Sequence, residues 1–486
     1  MRNIYLIVLL LSFLSASAEV IEFNDFSFKN LLLAANVSNS TAQDANGNNI
    51  KIDINSNNEI ETEEALLVYK LSQTTVFGIN DFTGIGYFSN IKDLRLGLPF
   101  NTVLNLDLTG LTNLEKLYLG SQSRIENLNV SGLIHLKEIN CSNVKMKTIN
   151  VSGAIALQEL WCDNNDLTQL DLSGLTALTY VNCILNDITS LDLIGLTNLG
   201  VIMCGNNQIT TMNLSGLSNL IGLHCNANHL TTLDVTGIPT LANLNCQLNN
   251  LTELQVSGLS QLQYLDCISN DLTMLDLTGL DSLEDLYCAS NYLHSLSLRH
   301  LSNLKAFTCG QNNLTTLDVS GLSQLNKFAC FNNELASIYM KGIAFNGGAE
   351  DILGINDNPN LQYICTDESK IELIRTYTAA QGYANCVIDS SCELNTTSNT
   401  ATAVVLYPNP ADQQLNIALN GMSRISSIAI FDNLGRMVQM LPQSDLNSVI
   451  NVSALKTGNY FLKINSDKGT TNAKFAKKID TITFAL

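Results

Sequence analysis

Ten cysteines recur at a fixed interval of twenty-one residues: Cys141, Cys162, Cys183, Cys204, Cys225, Cys246, Cys267, Cys288, Cys309 and Cys330. A disulfide framework has no such metronome. A constant period of about 20–29 residues marks a solenoid, in which each turn buries its apolar face against the next. Around each cysteine the frame reads L-x-x-L-x-C-x-x-N-x-L and continues close to T-x-L-D-L-S-G-L-T-N. One turn spells it as Leu157, Leu160, Cys162, Asn165, Leu167, Leu170, Leu172, Gly174 and Leu175.

This frame resembles the leucine-rich repeat, with cysteine in the place of the repeat's third leucine. Two cruder turns precede the series, around Leu94–Leu96 and Leu117–Leu119, with leucine at the cysteine position. Within each turn L-x-L-x-C alternates apolar and polar residues, which predicts a short strand with one buried face. Stacked turns then make one long parallel sheet on the concave side of the solenoid. The return stretch is short and rich in Ser, Thr, Gly and Asp, so extended or 3₁₀ structure and gentle curvature are expected there.

Two further columns follow the period. The asparagines Asn165, Asn186, Asn207, Asn228, Asn249, Asn270, Asn291, Asn312 and Asn333 fall where the chain leaves the strand. An inward amide carries donors and an acceptor, so it can satisfy backbone groups on adjacent turns. The first cysteine turn has Val144 at this position, and an irregularity is expected there. The other column runs Asn150, Asp171, Asp192, Asn213, Asp234, Gln255, Asp276, Ser297 and Asp318. Neighbouring turns place these side chains roughly 5 Å apart. Interleaved neutral residues keep most carboxylates from meeting, which favours solvated turn residues over a rail for cations.

Arg2, the apolar run Ile4 to Leu14 and Ala16-Ser17-Ala18 have the layout of a secretory leader cut after Ala18, before Glu19. The run is too short to span a membrane, and no other segment is long enough. Export raises the question of the thirteen cysteines, because oxidising compartments favour disulfides. The ladder thiols replace a core leucine and should point inward as small hydrophobes. A single file of them cannot converge tetrahedrally on zinc. Cys365, Cys386 and Cys392 lie beyond the ladder, and a bridge from Cys365 to Cys386 is the expected pairing. A formal charge of −19 excludes nucleic acid and anionic membrane surfaces as natural partners.

Before the repeats, the segment from Asp53 to Glu64 resembles an EF-hand calcium loop. Oxygen-bearing Asp53, Asn55 and Asn57 fall at its first, third and fifth positions, Glu59 at the seventh, Ile60 at the eighth and Glu64 at the twelfth. The resemblance implies Ca²⁺ held by Asp53, Asn55, Asn57, Glu59 and Glu64, flanked by helices over Phe23 to Leu33 and Ala65 to Leu71. Asn58 stands where that family has glycine for a left-handed turn, which asparagine tolerates best after glycine. Residues 19–87 are thus an N-terminal cap that shields the first sheet edge, and 88–345 are the repeats.

Residues 346–392 read as a C-terminal cap of degenerate turns, with a helix expected over Ile371 to Ala380. The uncharged linker 393–403 follows. From Val404, short strands alternate with turns every 8–12 residues, which predicts an Ig-like β-sandwich over 404–486. Tyr407-Pro408-Asn409-Pro410, Leu415-Asn416-Ile417, Phe431-Asp432-Asn433-Leu434-Gly435-Arg436 and Leu455-Lys456-Thr457-Gly458-Asn459-Tyr460 carry a second resemblance. They are similar to the type A C-terminal sorting domain of the type IX (Por) secretion system of Bacteroidota. That resemblance implies export across the outer membrane, contact with the type IX machinery, and cleavage as cargo is released or anchored to surface lipopolysaccharide. The tail from Asp480 to Leu486 departs from the family, whose members commonly stop near the basic-hydrophobic end.

No catalytic motif is present: there is no H-E-x-x-H, no G-x-S-x-G and no phosphate-cradling glycine loop. The expected activity is binding, through strand residues that face outward on the concave sheet. These include Trp161, Tyr180, His224, Tyr264, Asp266 and Tyr287, with Trp161 beside Tyr180 and Tyr264 beside Tyr287. Aromatics on a rigid sheet anchor protein partners and stack on sugar rings. The expectation is an exported, adhesin-like binder of a protein or glycan; the alternative is a structural surface-layer component without a discrete ligand.

Overall fold

The computed structural model describes residues 19–73, 78–97, 102–120, 124–349, 351–392, 404–419, 425–432, 437–441, 449–466 and 469–478. The leader with its cut after Ala18 and the linker 393–403 lie outside them. The chain divides into two compact units, Met1–Cys392 and Glu393–Leu486.

The first unit is a leucine-rich repeat solenoid built on a fifteen-stranded sheet. Its first strand, Ala42–Gln43, pairs antiparallel with Lys70–Gln73. Every later strand is parallel to the one a turn earlier, as in Tyr180↔Val201, Val181↔Ile202 and Asn182↔Met203. Most of these strands are three residues long. The middle residue points inward: Leu160, Val181, Ile202, Leu223, Leu244, Leu265 and Leu286 are all fully buried. Each such side chain contributes about 1.5–3 kcal/mol by leaving water, and the single continuous core comes from stacking one turn on the next. All ten ladder cysteines are buried in it as free thiols. Burial pushes their titration up, to about 12 for Cys183 and Cys225, so they pack as neutral hydrophobes.

The strands are short because the chain turns off at the cysteine, and the asparagine column makes that turn affordable. Asn228 donates through Nδ2 to the carbonyls of Cys204 and Cys225 at 3.0 and 3.1 Å. Its Oδ1 accepts from Ile209 N–H at 2.9 Å. The preceding residue takes a left-handed backbone in every turn, even where it is Leu185 or Leu248, with φ of 57° and 55°. The turn carrying Val144 is irregular as expected: Asn143 and Lys145 are both left-handed there. The column also runs one residue further than Asn333. Asn358 bonds Cys330 and Ile355 carbonyls in the same way, after a step of twenty-five residues in which Lys327 pairs with Ile352.

Aspartates of the return stretch are turn residues. Asp171 accepts from Ser173 N–H at 2.9 Å, and Asp234 and Asp276 do the same with Thr236 and Thr278. These bonds, with those from the neighbouring hydroxyls, hold all three carboxyls below the usual range. The return side is extended. It forms a three-stranded sheet over Thr102–Asp107, Arg124–Asn129 and Thr148–Asn150, and a four-stranded one over Thr316–Asp318, Ser337–Tyr339, Tyr363–Cys365 and Val387–Asp389.

At the C-terminal end, helix Ile371–Ala380 packs Tyr377 edge-on against Phe345, with ring centroids 5.7 Å apart. The disulfide there corrects the sequence expectation. Cys365 pairs with Cys392, at a Cα separation of 5.1 Å, and Cys386 is a free thiol. Strand pairing explains the choice. Cys365 lies opposite Asp389, and Cys392, left-handed at φ 59° and bonded through N–H to Asp389 Oδ1, is folded back towards it. Cys386 precedes that strand.

The second unit has two antiparallel sheets, one of three strands and one of four. Leu415, Ile417, Ile428, Ile430, Ile450, Leu462 and Phe475 form a core of its own, consistent with the expected Ig-like sandwich. The motif prolines Pro408 and Pro410 both follow cis peptide bonds.

Candidate binding face and N-terminal loop

On each three-residue strand the first and third side chains face away from the core. The inward residues hardly change from turn to turn, whereas the outward ones change at nearly every turn. One outward column runs Glu159, Tyr180, Val201, Gly222, Asn243, Tyr264, Asp285, and the other Trp161, Asn182, Met203, His224, Asn245, Asp266, Tyr287. Trp161 and Tyr180 touch, with ring centroids 5.2 Å apart. Tyr180 donates to Met203 Sδ at 3.2 Å. Tyr264 and Tyr287 touch at 5.6 Å. The tyrosines of the two pairs lie four strand spacings apart, roughly 19 Å.

Between the pairs the face is uncharged. Gly222 is buried, with the Val201 and His224 side chains close beside it, and His224 is held below its usual titration range by burial. Asn243 Oδ1 is buried there without a hydrogen-bond partner, an acceptor that pays a desolvation cost in the chain alone. In the sequence, an asparagine in a variable column carries no signal of this until its neighbours are placed.

Beyond Asn243, Asp266 is 5 % exposed, and burial raises its titration. Its Oδ1 accepts from Ile268 N–H at 3.1 Å, and Tyr264 O–H donates to Oδ2 at 3.4 Å. Asp285 stands opposite Tyr264 and is likewise shifted up, first by burial and then by Glu284. It belongs to the same cluster. The structure thus gathers Tyr264, Asp266 and Tyr287, as the sequence suggested, and adds Asp285; Trp161 and Tyr180 form a separate cluster, with His224 between.

In the N-terminal loop, Asp53, Glu61 and Glu64 are buried. Asp53 accepts from the N–H groups of Asn57 and Asn58, and Asn58 is left-handed, at φ 65°. Glu64 Oε1 accepts from Ile54 N–H at 2.7 Å. Asn55 and Asn57 turn their amides to Glu61. Glu59 points out of the loop to Lys29 at 2.6 Å, which leaves only its main-chain carbonyl for the loop interior. Burial pushes Glu64 up, while bonds from Glu64 and Asn57 hold Glu61 down. The oxygen donors suit a hard cation chemically, yet no three His, Cys, Asp or Glu side chains among the described residues converge as metal ligands. The flanking helices are Phe26–Leu33 and only the short Thr62–Ala65. The second ends early because Lys70–Gln73 is drawn into the long sheet, correcting the helix expected to Leu71.

The solenoid's likeness to known structures defines its class. It is similar to the functional domain of InlJ from Listeria monocytogenes, which includes a cysteine ladder: 23% identity, TM-score 0.52, covering 96% of this chain and 100% of that one. It is also similar to the internalin InlF of Listeria monocytogenes, at 21% identity and TM-score 0.50, over 70% of this chain and 95% of that one. These are leucine-rich repeat folds. Comparison with the curated proteins finds no match. Residues 405–478 match the secretion system C-terminal sorting domain family. The protein is therefore a leucine-rich repeat protein with a Por-type sorting domain, exported to the cell surface or beyond it. No helix among the described residues is long and apolar enough to cross a membrane.

Proposed function

We propose that this chain is a non-enzymatic recognition protein, delivered by the type IX machinery, that holds a macromolecular partner on the outward face of its long sheet. One observation carries the reading: the inward columns are nearly fixed, while the outward columns vary and gather Trp161 with Tyr180 and Tyr264 with Tyr287. A rigid sheet presents such anchors at little ordering cost. The orphan Asn243 Oδ1 adds an acceptor awaiting a donor. A protein is the favoured partner, and a glycan tests the same face. In this division of labour 19–87 and 346–392 cap the solenoid, and 404–486 serve export. The test is the secreted chain probed on protein and glycan arrays, followed by Trp161→Ala and Tyr287→Ala on any hit. Either variant should weaken binding at least tenfold, about 1.4 kcal/mol, without unfolding the solenoid. A hit that binds both variants like wild type refutes the reading.

The N-terminal loop is proposed to bind Ca²⁺ through Asp53, Asn55, Asn57 and Glu64, with the Glu59 carbonyl and Glu61 beside them. The loop's oxygen donors are of the type a hard cation takes. Chelation should lower the melting temperature, since an ion held only by the folded state stabilises it, and Glu64→Gln should abolish that response. Identical melting with millimolar calcium and with chelator sinks the proposal.

A further inference from the structure

Among the described residues, the long sheet contains an occupied cation box, made wholly by the chain. Near its N-terminal end, Asp93 holds the Arg95 guanidinium at 2.9 Å, directly over the Tyr118 ring, 4.4 Å from its centroid. Tyr118 in turn donates to Glu138, which also takes Lys116 at 2.8 Å. Carboxylate, guanidinium and aromatic face satisfy one another on adjacent strands.

Strands Tyr264–Asp266 and Asp285–Tyr287 repeat the acidic and aromatic parts of that box. Their register sets Tyr264 beside Asp285 and Asp266 beside Tyr287, a chequerboard of two carboxylates and two rings in contact. No ion pair from the chain closes it. Among the described residues neither Asp266 nor Asp285 makes an ion pair; Lys305, engaged by Glu284 at 2.6 Å, and Lys327 line the pocket beside Asp285 and Tyr287, and their charge draws the Asp285 titration partly back down without a direct bond.

Nor does the fold need the charge at 266. That side chain's structural task is to accept the N–H two residues on, as Asp266 does from Ile268. Asn182 and Asn245 perform the same task at the same position, accepting from Ile184 and Gln247 at 3.2 and 3.3 Å. A buried carboxylate where a neutral amide suffices is a cost without a structural return, and a cation from outside offsets it.

We propose that Tyr264, Asp266, Asp285 and Tyr287 form a receptor for a guanidinium group, an arginine side chain presented by the protein partner. This deepens the reading of the sheet as the binding face and rests on it. Asp285, half-buried at the mouth, receives the charge. The rings flank its plane, and Asp266 supplies the field from beneath.

The test uses the full secreted chain and synthetic octapeptides with a central arginine, lysine, citrulline or glutamate in a Gly/Ser background, measured by fluorescence anisotropy. Arginine peptides should bind saturably and at least tenfold better than citrulline peptides, with binding weakened by salt. Asp285→Asn and Asp266→Asn should each cut it severalfold and together abolish the preference. Asp266→Asn copies what neighbouring turns carry, so misfolding is not expected, and a melting curve checks it. Equal binding of citrulline peptides, insensitivity to both aspartate variants, or no saturable binding at millimolar peptide overturns the proposal. The broader reading is separable. A partner from the arrays that depends on Trp161 but not on Asp266 or Asp285 leaves the sheet as binding face and removes the arginine receptor.

Discussion

The side-chain amide of Asn228 bonds the main-chain carbonyl of Cys204, one full turn back in the solenoid, at 3.0 Å. Its other contacts reach Cys225 and, at 3.3 Å, Asn226 in its own turn and Ile209 in the turn before. One side chain therefore satisfies several backbone groups, three of them buried, that the sheet leaves unpaired. Asn228→Ala removes all of these bonds at once and strands their partners. Each buried group left unsatisfied costs about 1–3 kcal/mol, so the loss should amount to several kcal/mol across the adjoining turns. Urea unfolding followed by circular dichroism should show a clear drop in midpoint. Because a repeat array loses cooperativity readily, an early extra transition is an equally good signature. An unchanged curve contradicts the structural role given to the column.

Thiol counting separates the ladder from the cap. Native protein at pH 8 should take up at most one alkyl group, at half-buried Cys386, because the ten ladder thiols are inaccessible and neutral. Denaturation without reductant should expose eleven thiols, and reduction should release Cys365 and Cys392 to give all thirteen. Intact mass after each step, and a peptide map linking Cys365 to Cys392, are the measurements. Ladder disulfides, or a Cys365 to Cys386 link, contradict this arrangement.

Periodicity is what made the solenoid legible. Leu160, Cys162 and Asn165 sit in columns because every turn solves the same burial problem, so one turn predicts the next. Legibility ends where the period does. Asn358 continues the ladder but lies after a twenty-five-residue step, and its equivalence appears only once Lys327 is seen opposite Ile352. The cap disulfide is illegible for a similar reason: three cysteines in an irregular stretch carry no register, and only the pairing of Cys365 with Asp389 picks Cys392. Residues of the outward face are legible as a set, since strand alternation puts Tyr264 and Tyr287 on one side. Their energetic state is not, because the burial of Asp266 depends on which rings lie over it.

The sorting domain yields a cellular prediction. Its core is its own, so removal of residues 404–486 should leave the solenoid folded. It should also remove the export signal, since that segment contains the family match. The truncated chain is expected in the periplasm, soluble and protected from protease added to intact cells, whereas the full chain is surface-exposed or in the medium. Efficient surface delivery of the truncated chain defeats the assignment.

Replacing Asp266 by asparagine tests the energetics of the acidic face independently of any ligand. Burial raises the folded-state titration of this carboxyl above its ordinary value, so the folded protein holds the proton more tightly than the unfolded chain. Below the ordinary carboxylate range both states are protonated and the side chain carries no penalty. As pH rises through the unfolded value and then the raised folded value, the unfolded state gains more from ionisation, and the native state loses stability until both are charged. Asp266→Asn keeps the Oδ1 acceptor for Ile268 N–H and removes that loss. The variant should therefore melt higher than wild type at pH 7, with the gap closing towards pH 3. Tyr264, Tyr287 and Asp285 surround the site in both proteins, and the comparison cancels their own contributions to first order. Equal or lower melting of the variant at pH 7 means that Asp266 is stabilised within the chain by contacts an amide cannot replace, and the case for an external cation loses its energetic ground.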